Sequence, residues 1–186
     1  MVAIALAVVI VTNVASFALL LVVGEPFGSI NDAGIAIAGL LTALLALLMY
    51  RITQMSSALD VAALGAALVG GVVTALGSAL VLSGAANYYY AGLVMGLGSG
   101  FLGLWLAVVS RSRGYRMRFA PALSAMGTII GSLMATGLIA GLGLAMGIED
   151  IDAAPAWLGF AFVGTIAQAF LLPLWSVRLA RSLLTG

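Results

Sequence analysis

A chain of 186 residues that is 64% hydrophobic, 7% charged and carries a net charge of +1 cannot hydrate a globular surface, which needs about a quarter charged residues. Lipid is therefore its solvent, and no nucleic-acid partner is expected. The chain contains no lysine, histidine or cysteine.

Six apolar stretches, at about 2–23, 31–50, 58–83, 88–110, 121–147 and 155–177, each reach the roughly 20 residues that a hydrocarbon core about 30 Å thick demands. Barrel strands would be shorter and would alternate, whereas the run Leu40 to Leu48 is apolar all round. The expected fold is an all-α polytopic membrane bundle, one domain over 1–186, with six transmembrane helices arranged as three hairpins.

The first stretch has no basic leader and no small-x-small cleavage site, so it reads as a retained helix. It carries Asn13 and Ser16 on one side. Glu25-Pro26-Phe27-Gly28 then makes a turn, and Ser29 with Asp32 has the spacing of a capping box at the start of the second helix. The same segment holds the densest polarity near that face, which makes Glu25, Asn31 and Asp32 a candidate outer mouth for a cation or polar solute.

Ser57 and Asp60 repeat the capping-box spacing before the third helix, and Asn87 is placed to cap the fourth. Ala67, Gly71, Ala75 and Ala79 form a small-residue stripe on the third. On the fourth, Tyr88, Tyr89 and Tyr90 suit an interfacial anchor or a vestibule lining. Gly92, Gly96 and Gly100 recur every four residues there, as do Gly127 and Gly131 on the fifth, the small-xxx-small spacing that lets backbones approach closely in lipid. Helix packing among the third to fifth spans is the expectation. A groove for a flat lipid, sterol or pigment, or a dimer seam, is the alternative. Gly98-x-Gly100-x-x-Gly103 matches the dinucleotide fingerprint in letters only, since it lies inside an apolar span with no βαβ pattern.

Glu149, Asp150 and Asp152 sit in the loop before the last span, too few and too flexible for a calcium cage, with Asp152 positioned as a cap. Thr165 and Gln168 share one side of the sixth span. Asn13, Thr165 and Gln168 should turn inward, as interhelical hydrogen-bonding groups or as a polar path for a solute. Pro173 removes a backbone donor and should kink or open the helix.

All seven arginines (51, 111, 113, 116, 118, 178 and 181) fall at one end of the spans, with Asp60 the only acid among them. By the positive-inside rule that end is cytoplasmic, both termini lie inside, and the acidic loops face out. Tyr50, Trp105, Tyr115, Trp157 and Trp175 lie near span ends, as an aromatic belt would. Loops are short, the longest being the basic stretch from Arg111 to Ala120. The hairpins resemble one another weakly, as an internal triplication would make them, with Met49-Tyr50-Arg51 echoed by Leu174-Trp175-Ser176-Val177-Arg178.

The missing residue types exclude several chemistries. Without lysine there is no retinal Schiff base, and without histidine no His-ligated haem, HExxH zinc site or His-based serine protease. No Walker motif is present, and no carboxylate is expected in a span interior, which argues against a proton relay or ion-coupled pump. No catalytic, cofactor-binding or metal-binding residue is expected, and the chain is not expected to be an enzyme. Two readings remain. One is a small channel or carrier for a neutral or weakly polar solute, without ion or ATP coupling. The other is a scaffold, accessory subunit or hydrophobic-ligand-binding protein. Membrane lipids, and either further copies or a partner membrane subunit, are the expected partners. The all-arginine basic set and short loops point to a bacterial inner membrane.

Overall fold

A computed structural model of the chain describes residues 1–53 and 57–185. Those residues form α1 (Val2–Val23), α2 (Phe27–Ile52), α3 (Ala58–Leu82), α4 (Tyr88–Arg111), α5 (Arg113–Arg118), α6 (Pro121–Ala135), α7 (Ala140–Ala145), α8 (Ala161–Ile166) and α9 (Leu172–Thr185). Six of the resulting segments are long and apolar enough to cross a bilayer, so the protein is a multi-pass, all-α membrane bundle. α1 to α4 supply one span each. The fifth span, Pro121–Ala145, joins α6 to α7 through a 3-10 turn, and the sixth, Ala156–Thr185, joins a 3-10 turn, α8, a π turn and α9.

Each span packs on the next in the sequence, and the sixth returns to the first. α4 sits at the centre: 67% of its apolar window is buried, against 28% for α1. Its faces divide the work. Gly98 lies on Gly70 and Thr74 of α3, while Gly100 and Gly103 lie against Gly137 and Met134 of the fifth span. A Cβ at Gly103 would come within 2.6 Å of the Ala135 nitrogen, so these backbones meet with no room for a side chain. α2 meets α3 the same way, at Gly39 and Gly71. The glycines marked by spacing alone behave unequally. Gly131 abuts the Ala107 backbone and Gly127 the Ser110 and Trp175 side chains, whereas a Cβ at Gly96 would make ordinary contact with Ala140 at 3.4 Å. A Cβ at Gly92 would meet nothing within 4 Å: this glycine lines a cavity and not the helix seam expected of it.

Three sequence expectations fail for identifiable reasons. Trp105, Tyr115 and Trp175 are not belt residues: each is at most 2% exposed. The two indoles meet edge to face at 6.4 Å, closing the arginine-bearing end of the core, and Tyr115 stacks on Phe119 at 4.6 Å. The basic stretch is not an open loop either. Ser112 caps the short helix α5, whose Tyr115 plugs into the bundle; burial pushes its phenol pKa above the ordinary range, partly offset by Trp175. Asp152 caps nothing, because the sixth span opens on Pro155 and Asp152 is bonded instead, through its amide, to Asp150. Two of the expected caps do form: Ser57 and Asp60 make a reciprocal box, and Asn87 accepts from the Tyr90 amide at 2.8 Å.

Candidate functional site

The second helix starts four residues earlier than its apolar run implies, and that shift changes the chemistry of its first turns. Phe27 opens α2, and Glu25 accepts from both the amide and the hydroxyl of Ser29, at 3.4 and 3.3 Å. Ser29 is therefore inside the helix and caps nothing. Asp32, expected at a solvated mouth as its capping partner, lies more than a turn into α2, 4% exposed, with Oδ1 lacking any hydrogen-bond partner. A carboxylate is thus buried within a span, contrary to the sequence expectation. Such a group is expensive in a protein interior. It lies within electrostatic reach of Glu25 and Tyr88.

Beside it, a cavity of about 450 Å³ opens between α1, α2, α4 and the sixth span. Asn13, Asn31, Thr165 and Gln168 all line it. Four polar residues from both ends of the chain are thereby brought to one space; Glu25 and Asp32 are not in its wall. Asn13 reaches its position because α2 carries Gly34 opposite: a Cβ there would lie 2.6 Å from the Asn13 Cγ, so any larger residue would evict the carboxamide. The Gly92, Gly96 and Ser99 face of α4, at i, i+4 and i+7, forms another wall.

Span six supplies its wall through irregular backbone. Pro173 offers no N–H to the Ala169 carbonyl, and the turn before it, Ala167–Leu171, widens into a π-helix that carries Gln168, Ala169 and Phe170 to the cavity. π turns of this kind recur at functional sites. The kink expected at Pro173 thus takes the form of a local unwinding one turn earlier.

Tyr88, given as an anchor or a vestibule lining, stands in the cavity wall, whereas sequence reasoning missed Ser99. Ser99 is 2% exposed and its Oγ has no partner, whereas Thr42, Thr74 and Ser78 donate back to their own helices. Its place on the Gly92 and Gly96 face was a usable signal, hidden by attention to the glycines. The remaining walls are apolar, including Phe17, Phe162, Ile166 and Phe170, each 45–59% exposed. Within the sixth span α1 packs chiefly on α9, so the first and sixth spans meet at the arginine end and separate toward the other, where these side chains flank the gap. Among the described residues, no group of three or more acidic side chains could hold a metal ion.

Comparison with protein-family models, curated proteins and solved structures finds no match.

Proposed function

We propose that this integral membrane protein is a small carrier or channel for a neutral or weakly polar solute, acting without ATP. One observation carries the reading: Asn13, Thr165 and Gln168, singled out as membrane-depth polar groups, line the same cavity as Asn31 and the unpaired Ser99 hydroxyl. Amides and hydroxyls supply donors and acceptors without fixed charge, which suits an uncharged solute. The cavity volume falls in the range of small-molecule sites, and its apolar walls with a few convergent polar groups have their composition. A bacterial inner membrane remains the proposed setting.

The apolar flank between the first and sixth spans favours a second reading, a protein that holds a hydrophobic ligand drawn from the bilayer. Proteoliposome reswelling separates the two. With glycerol, erythritol and urea as osmolytes, the transport reading expects at least one solute to enter several-fold faster than into empty liposomes, and the Asn13→Leu/Gln168→Leu variant to lose that gain. No acceleration for any of the three, together with a co-purifying apolar molecule, would establish the second reading instead.

A further inference from the structure

At the arginine-bearing end, a second concavity of about 390 Å³ lies where α4, α5 and α6 converge. Arg111, the last residue of α4, and Arg116 of α5 stand over it, both exposed. The start of α6 forms its base. That helix has Ala120 in the capping position and no side-chain cap; Pro121 carries no N–H and the Leu123 amide is bonded to the Ala120 carbonyl, which leaves the Ala122 amide at its positive dipole end. Among the described residues the one acidic side chain at this end, Asp60, is held in the box with Ser57. Three sources of positive potential therefore converge on one spot with no acidic side chain to answer them.

Below that spot the groove continues down the membrane face of α6. Pro121, Ala125 and Ile129 share one stripe at i, i+4 and i+8, and Ile129 is 60% exposed. Ala125 leaves a trough between its larger neighbours. The Ser124 hydroxyl is already committed to the Ser110 carbonyl, so it does not compete for a ligand.

The geometry points to a bound anionic phospholipid, its phosphate between Arg111, Arg116 and the α6 N-terminus and one acyl chain along Ala125 and Ile129. Charge complementarity selects the headgroup, and the apolar stripe immediately below it selects a lipid over a free anion. Basic pockets beside spans on the cytoplasmic side recognise such headgroups, and the positive-inside rule places this groove there. The site is separate from the cavity between the first and sixth spans, and the proposal does not depend on the transport reading.

The test is native mass spectrometry of the full chain, titrated with phosphatidylglycerol or phosphatidylcholine of identical acyl composition. Each arginine near the surface contributes about fivefold in affinity, so Arg111→Gln/Arg116→Gln should weaken phosphatidylglycerol binding roughly twenty-fold. Arg113→Gln/Arg118→Gln removes the same charge from α5, outside the groove, and should weaken binding clearly less than the Arg111/Arg116 pair. Ala125→Trp fills the trough without changing charge and should weaken binding as well. Equal losses in the two arginine pairs would mean diffuse attraction and overturn the site. Equal binding of phosphatidylcholine, or displacement by millimolar inorganic phosphate with Ala125→Trp indifferent, would also overturn it.

Discussion

Gly98→Ala lowers the thermal midpoint of the detergent-solubilised protein sharply, while Gly92→Ala, less than two turns away on the same helix, leaves it unchanged or raises it. A Cβ at position 98 would land 2.5 Å from the Thr74 nitrogen and 2.7 Å from the Gly70 carbonyl oxygen, both backbone atoms of α3 that cannot rotate aside. One methyl group must therefore separate two helices along the most extensive contact in the bundle. Overpacking of this kind costs about 1–3 kcal/mol, and the upper end is expected where backbone meets backbone. At position 92 a Cβ meets nothing within 4 Å. Melting curves of the two variants side by side check the account, and equal losses would show that close packing of α3 on α4 is not what these glycines provide.

The second large effect uses the same helix in the opposite sense. Gly92→Phe projects an aromatic ring into open space within the cavity, so it should fold normally and obstruct the site. If the cavity is the solute path, reswelling by any solute the protein carries falls at least tenfold, close to the rate of empty liposomes. A folded variant with undiminished flux would place the path elsewhere. Gly98→Ala and Gly92→Phe together separate structural glycine from site-facing glycine by measurement.

That separation shows where the sequence was informative. Six apolar stretches, one-sided arginines and small-residue spacings were enough to read a multi-pass helical bundle, because bilayer thickness and backbone satisfaction leave few alternatives. The membrane-depth amides Asn13 and Gln168 were legible as inward-facing groups, since lipid is a poor place for them. Which neighbours they would meet was not legible, because that depends on the π turn ahead of Pro173 and on Gly34 yielding its space to Asn13. The placement of Asp32 was missed for a related reason. Hydropathy marks where apolarity begins, whereas α2 begins at Phe27, and those four additional residues move the carboxylate from a cap to a buried position. Trp105 and Trp175 were misread because proximity to a span end does not say whether a ring faces lipid or another ring.

If the space between the first and sixth spans is a solute path, it is open to water and reaches membrane depth. Because the chain has no cysteine, single substitutions can be read without background. Asn13→Cys, Ser99→Cys and Gln168→Cys would be exposed, in reconstituted vesicles, to a charged, membrane-impermeant methanethiosulfonate, with Leu102→Cys in the dry core and Val8→Cys facing lipid as references. Modification requires a hydrated thiolate. Reaction is expected at 13, 99 and 168 and none at 102 or 8; protection of all three cavity positions, at the level of the two references, would contradict a hydrated path.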